Sequence, residues 1–560
     1  MLRMFDTHKI RESKELSGRL WDFTAFGSDK EGRTQKVMVP GCVENLPGMG
    51  NYRGWCSYET SFEAEGNIRL EFKGVSHYAR VFVDDKEAVQ HYGSYTPFSV
   101  CLKNLKEGEH LLKVLVDNDF RDEYALDMPN DYMSYGGISR GVLLEKIGDA
   151  YLQWVHVTPL RDEDGRWFAD VVISCENLLD EPLLVSLKLK IADTVTTAKD
   201  QLLQPGENQV KLDRIPIPGV EAWSMENPAL YMAEAVLLRD GVAADDWIDR
   251  IGFRTVEVKG KQVLLNGKAI RIKGFCRHED HPQYGCALPA QAIAYDLQLI
   301  QDMGGNSVRT SHYPNDELFL DMCDEMGILV WEENHARGLD EEHMRNKYFE
   351  GQCEEVIRDM ITVHYNHPSI YVWGILNECA SETEYGRECY AAQYALIRSL
   401  DSSRLLSSAS CKFNEDLCQD LPDICSWNIY PYWYEETSAS QKVKELLTWL
   451  EKEGNGAGKP FLVTEVGAGG IYGFRDTAHD VWSEELQAEI VKKQLSEIFR
   501  CEDCMGMYIW QFCDVRVSRT YWAIRRPKSR NNKGIVDEFR RPKLAYESVK
   551  EVFGKYGNYR

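Results

Sequence analysis

From Val256 onward, short apolar strands alternate with amphipathic stretches, and this ordering narrows the fold more than any other feature of the chain. The strands read at 270–274 (IRIKG), 306–312 (NSVRTSH), 328–333 (ILVWEE), 371–378 (YVWGILNE), 405–410 (LLSSAS), 424–430 (ICSWNIY), 460–466 (PFLVTEV) and 506–512 (GMYIWQF). Helical periodicity lies between them, as in AIAYDLQLIQDM and ELQAEIVKKQLSEIF. Eight such units predict a closed (β/α)8 barrel over residues 256–560. Chemistry in such barrels gathers at the C-terminal ends of the strands.

The preceding residues carry a different periodicity. Segments such as SYETSFEA, IRLEFKG, ARVFVDD and HLLKVLVDN alternate with period two and are separated by Gly, Asp and Asn turns. They predict an all-β domain over 1–148. A second strand-rich stretch, from YLQWVHVTPL through LLVSLKLKIAD to YMAEAVLLRDG, predicts an immunoglobulin-like sandwich over 149–255. A chain of 560 residues is in any case too long for one core. Its net charge of −24 repels nucleic-acid phosphates and anionic membranes. No stretch resembles a signal-peptide core or a membrane span, so the expected compartment is the cytoplasm. The 16 cysteines then read as free buried thiols. Cys501 and Cys504 have CxxC spacing without a second pair to complete a zinc site, which leaves helical packing as their explanation.

The fourth barrel strand ends in Asn377-Glu378 and the seventh in Thr464-Glu465, so both carboxylates should face one mouth. A glycosidase needs such a pair: one carboxyl group protonates the leaving oxygen, the other attacks the anomeric carbon or activates water. The plain alternative pairs each glutamate with a barrel arginine. Arg277, His278, Glu279 and Asp280, with His312, form a further polar cluster that reads as a hydrogen-bonded lining, with no fixed metal-ligand set.

Beyond these features the chain resembles glycoside hydrolase family 2 over nearly its whole length. The resemblance is carried by VPGCVENLPG, the stretch from LEFKGV to YTPFSV, YGGISRGV, GFRTVEVKG, LLNGKAIRIKGFCRHEDH, NSVRTSHYPND, NHPSIYVWGILNE, KPFLVTEVGAGG, IWQFCDVR and KGIVDEFRRPK. It implies the order jelly-roll sugar-binding-like domain, immunoglobulin-like sandwich, barrel. It also implies a retaining double displacement with Glu378 as general acid/base and Glu465 as nucleophile. Asn377 would bind the sugar's 2-hydroxyl, Tyr430 would hold Glu465, and Asp131 would reach the outer hydroxyls from the N-terminal domain. Trp510 and Tyr434 suit the pocket wall or the core.

Asn531, Asn532 and Lys533 reproduce the Asn-x-Lys motif that marks the β-glucuronidases of that family. An ammonium and an amide can hold a uronic acid's C6 carboxylate, which a site built for a neutral hexose would leave uncompensated. The arginine that commonly precedes this motif could be Arg525, Arg526 or Arg530. Arg337 stands where glucuronidases of the family carry a small or apolar residue. Its guanidinium could favour an axial 4-hydroxyl, hence galacturonate, or it could pair with Asp340 or Glu342. The expectation is therefore an exo-β-hexuronidase leaning to β-D-galacturonides. The alternatives are a β-glucuronidase or a dual-specificity enzyme, then a β-galactosidase, β-mannosidase or non-catalytic carbohydrate-binding protein. The segment 339–351 is too short for a long loop over the aglycone. No cofactor is expected, and self-association is.

Overall fold

The computed structural model describes residues 2–27 and 34–560. Strands from Ser13 to Ile147 join in an eight-stranded antiparallel sheet. Its long central pair, Trp55–Phe72 against Phe98–Asp117, bends around a core that includes Trp21, Phe23, Tyr58, Phe62, Leu70 and Val114. Alternate residues enter this core because successive side chains on a strand point to opposite faces. A three-stranded and a four-stranded sheet follow. They enclose Val171, Ile173, Leu187, Leu189, Ala235 and Phe253, as expected of an immunoglobulin-like sandwich.

The barrel strands are β1 (Ile272–Cys276), β2 (Ser307–Arg309), β3 (Leu329–Glu333), β4 (Ile370–Ile375), β5 (Leu405–Ser408), β6 (Cys425–Asn428), β7 (Phe461–Val466) and β8 (Cys504–Ile509). They run parallel in the order β5-β4-β3-β2-β1-β8-β7-β6. A bridge from Ser410 to Trp427 closes the remaining seam. Every expected strand is present. The fifth unit departs from the repeat: between β5 and β6 the chain forms a single 3-10 turn, Phe413–Glu415. That connection, CKFNEDLCQDLPDI, has Phe413, Leu417 and Leu421 at helical spacing, but Pro422 interrupts it and Asp416 is drawn aside to the hydroxyls of Ser381 and Ser410.

Small strands at Val256–Lys259, Gln262–Leu265 and Lys268–Ala269 carry Val263 and Leu265 onto the N-terminal end of the barrel and seal it. Inside, hydrogen bonds join Tyr508 to Ser307 (2.7 Å) and to Tyr371 (2.9 Å), a rigid floor below the mouth. The N-terminal domain is locked on by buried ion pairs. Arg140 reaches Glu279 at 2.9 Å, and Tyr135 donates to Asp280 at 2.9 Å. Arg3 joins Asp249, Glu317 and Asp321. All 16 cysteines are free thiols. Cys501 precedes the turn into β8 and Cys504 opens that strand, so neither is on a helix, which corrects the expectation for that pair. No helix of the described residues is long and apolar enough to cross a membrane.

Candidate active site

Glu465 stands on β7 and is almost wholly buried. Arg309, at the end of β2, donates to its Oε1 at 3.0 Å, and Tyr430 donates to its Oε2 at 2.6 Å. Arg309 also grips Glu333 of β3 through two bonds, 2.9 and 3.0 Å, and gives Asn377 Oδ1 a fourth at 2.7 Å. One guanidinium thus ties the ends of four strands, which its rigid fork of donors allows. Removing it would strand two buried carboxylates, a loss of about 3–5 kcal/mol for each broken pair. Arg309 and Glu333 were not among the residues singled out from sequence. The available signal was two charged side chains at strand C-termini.

Glu378 follows β4 and is partly open to the mouth. Its Oε1 accepts from Asn428 Nδ2 at 2.9 Å, and its Oε2 lies 3.7 Å from Arg337. Backbone bonds hold this turn from both sides: Asn377 N to Ala336 O (3.0 Å), Glu378 N to Ala409 O (2.9 Å). Leu376 and Glu378 adopt φ of 47° and 54°, a left-handed conformation that costs a non-glycine residue of order 1 kcal/mol. The neighbouring strands enforce it, and the glutamate turns into the mouth. Burial, and the nearby Glu378 carboxylate, push Glu465 up to about 7, against the pull of Arg309, Tyr430 and Arg337. The alternative that pairs each glutamate with an arginine is realised for both, Glu378 loosely with Arg337 at 3.7 Å and Glu465 closely through the Arg309 bond. That bond occupies one oxygen and leaves the carboxylate in the mouth.

Several polar atoms here lack partners among the described residues: Asn377 Nδ2, Arg337 Nε, and Nε2 of both His278 and His312. Buried polar atoms left this way are ready to bind ligand hydroxyls. His312 meets Glu333 through Nδ1 at 2.7 Å, which leaves Nε2 as the ring's acceptor. Burial, with Arg309 and Arg337 nearby, holds it well below the usual imidazole range and therefore neutral. Trp510 stacks on His312, rings 5.1 Å apart, and meets His278 edge-on at 5.5 Å. It is buried and belongs to the interior cluster that holds Cys276, Trp331 and Tyr508.

A second cluster faces this one. The N-terminal domain sends in Asn130, Asp131 and Tyr132, fixed to the barrel through Ser518, which donates to Tyr132 O at 3.0 Å. Asp131 takes a two-pronged ion pair from Arg526, through Nε at 2.9 Å and through Nη2, and a bond from Asn531 Nδ2 at 3.0 Å. Both of its oxygens are engaged in bracing these residues, with lone-pair capacity left on Oδ1 for a sugar hydroxyl. Asn531 is fully buried; its Nδ2 gives one hydrogen to Asp131 and retains a second donor, and its Oδ1 is unpartnered among the described residues.

The cations that remain are Lys533, Arg526 and Arg337. Lys533 is 2% exposed, with its ammonium 5.1 Å from the Tyr434 ring and 5.8 Å from that of Tyr430. Burial and the adjacent Arg526 lower its pKa. The same two cations hold the Tyr434 phenol down at about 8, against its partial burial. Tyr434 is 59% exposed and lines the rim, not the core. Of the three candidate arginines Arg526 reaches the site, while Arg530 pairs with Glu538 at 3.2 Å and Arg525 is exposed. Arg337 pairs with neither Asp340 nor Glu342. It donates to Asn130 Oδ1 at 2.9 Å, while Asp340 caps a short helix by accepting from His343 N.

Residues 256–557 match the model of the glycosyl hydrolases family 2 TIM barrel domain, 36–148 that of its sugar binding domain, and 150–254 a further model of glycosyl hydrolases family 2. The chain is 28% identical over 549 residues to a putative beta-glucuronidase of Formosa agariphila, covering 91% of this chain and 65% of that protein's length. It is 26% identical over 615 residues to the beta-glucuronidase of Homo sapiens, covering 98% of this chain and 92% of the other. Among solved structures, a GH2 beta-galacturonidase from Eisenbergiella tayi bound to galacturonate is 55% identical with a TM-score of 0.98, covering 100% of both chains. The Bifidobacterium dentium beta-glucuronidase complexed with coumarin-3-O-glucuronide is 25% identical with a TM-score of 0.86, covering 100% of this chain and 99% of that one.

Proposed function

The chain belongs to glycosyl hydrolases family 2, and we propose that within it this protein is a retaining exo-β-hexuronidase that prefers β-D-galacturonides. Glu378 protonates the glycosidic oxygen as Glu465 Oε attacks C1, and the aglycone leaves as an alcohol. Water then gives a proton to Glu378 and attacks C1, releasing the uronic acid and restoring Glu465. Membership of the family supports a double displacement with direct attack by Glu465 over an inverting mechanism. Asn377 Nδ2, unpartnered among the described residues, suits a sugar 2-hydroxyl, a bond that strengthens as positive charge develops at C1.

The observation that carries the uronic acid reading is the buried ammonium of Lys533 beside the Arg526 guanidinium, in a chain of net charge −24. A buried cation without a bonded carboxylate is costly, and an incoming C6 carboxylate relieves that cost. The galacturonide preference rests on Arg337, which is held by Asn130 with its Nε unpartnered among the described residues. The likeness to the Eisenbergiella tayi galacturonidase supports the same choice.

The test is a panel of p-nitrophenyl β-galacturonide, β-glucuronide and β-galactoside with the wild type and Arg337→Ala. We expect the galacturonide to be the best substrate and the variant to lose about tenfold or more of its preference over the glucuronide. An unchanged ratio sinks the role of Arg337. Faster hydrolysis of the galactoside sinks the uronic acid reading. Proton NMR of the first product, with the β-anomer appearing before the α, tests retention.

A further inference from the structure

Away from the mouth, a cavity of about 700 Å³ opens between the N-terminal domain, the sandwich and the barrel helix Phe349–His364. His91, on the strand Lys86–Tyr92, faces Glu355 and Asp359 of that helix across it. The two acidic residues are four apart and share one helix face, where like charges repel. Among the described residues neither is paired with a lysine or arginine. His91 is 7% exposed, and neither of its ring nitrogens has a hydrogen-bond partner among the described residues. Its ring is held flat against Phe98, centroids 4.3 Å apart at 15°, with Nε2 3.8 Å from Asp359 Oδ2. That gap is too long for a hydrogen bond, and it is a length that an ion bonded to each side at roughly 2 Å would span.

The geometry points to a divalent-metal site formed by His91, Glu355 and Asp359, which tie the N-terminal domain to the barrel through one ion. One ligand atom from each lies within 4.8 Å of the others. An imidazole with two carboxylates suits a first-row divalent ion such as Zn2+ or Mn2+, whereas Ca2+ and Mg2+ select oxygen ligands alone. Glu355 is exposed and Asp359 half-exposed, so water completes the coordination. A second cluster, Asp321, Asp324 and His367, is different: its oxygens are spent on Arg3, on Ser369 N and on the imidazole itself.

The site is tested on the full chain stripped with chelator, titrated with ZnCl2 and separately with CaCl2 by calorimetry, with thermal unfolding followed in parallel. One equivalent of zinc should bind and raise Tm by about 2–4 °C, because an ion bound only by the folded state stabilises it. His91→Gln should abolish that binding. Glu355→Gln, a change at an exposed helix position that leaves the fold intact, should weaken it at least tenfold with uronide hydrolysis unchanged. Absence of stoichiometric zinc binding, equal binding by wild type and both variants, or an equal affinity for calcium would each overturn the assignment.

Discussion

The two halves of the mouth are built differently. On one side Arg309, Glu333, Glu465, Tyr430, Asn428 and Asn377 sit on or next to the barrel strands, joined in a chain of buried hydrogen bonds. On the other, Arg337, Asn130, Asp131, Arg526 and Lys533 come from a strand-end loop, a loop of another domain and a C-terminal turn. The first half is fixed before substrate arrives, which is what positioning of a nucleophile requires. The second half carries excess cationic charge that an anionic ligand would balance. Reaction type and substrate choice are thus separable in the structure, and substitutions in the two halves should fail in different ways.

The largest effect is expected on the fixed side. Glu465→Gln should lower kcat by about 10⁴-fold or more, as deletion of a covalent nucleophile does, while galacturonate still binds. Calorimetry with galacturonate alongside turnover checks both, and retained turnover would remove Glu465 as nucleophile. Glu378→Gln should cost about 10²–10⁴-fold with a poor leaving group and far less with a dinitrophenol that needs no proton.

The pH profile sharpens the same pair. With Glu465 raised to about 7, the pair gives up its last proton near that pH. Hydrolysis needs one proton, so wild-type kcat/KM should fall about tenfold per unit as pH rises above 7. Glu378→Gln removes the neighbouring charge, which lowers the Glu465 pKa. With dinitrophenyl substrate its alkaline decline should vanish, leaving only an acidic limb, below pH 7, from ionisation of Glu465. An alkaline limb that persists in this variant would assign it to another group.

The same division explains what the sequence could disclose. The strands carrying Glu378 and Glu465 are legible because each is an apolar run that ends in a polar residue, and barrel topology brings such ends together. The fifth unit lacks its helix although Phe413, Leu417 and Leu421 have helical spacing, because Pro422 and the bonds of Asp416 to Ser381 and Ser410 hold the segment as a loop, and those bonds are invisible in sequence. Arg309 and Glu333 were in view but had no distinguishing feature, since their importance lies in the four strand ends they connect. The loop half was least legible. Asp131 and Arg526 are 395 positions apart, and Lys528 and Ser529 turn the backbone at φ of 57° and 53°. Without that turn, Arg525, Arg526 and Arg530 cannot be told apart. The metal-site triad is hidden for the same reason, as His91 and Glu355 meet only once the domains dock.

On the loop side, Lys533→Ala should reduce kcat/KM for uronides about 10²-fold, close to the 2–5 kcal/mol range for losing one partner of a buried charged pair. Slow hydrolysis of a neutral galactoside should be unaffected. Equal losses on both substrates would mean that Lys533 supports the pocket and does not read the carboxylate.

Asp131→Asn should have the smallest effect, because it removes a brace and deletes none of the cations. Arg526 would lose its two-pronged partner, and Asn531 a bond to its amide. Kcat/KM for the galacturonide should fall about three- to tenfold, mostly through KM, since a loosened guanidinium must be ordered again on binding. An optical readout separates this from a general disturbance. Arg526 and Lys533 together hold Tyr434 near 8, so an Arg526 that swings away should let that phenol titrate higher. The 295 nm difference between each protein and its Tyr434→Phe counterpart isolates this group. A midpoint that stays near 8 in Asp131→Asn would mean that Arg526 is held without Asp131, and the loop half would then be as rigid as the strand half.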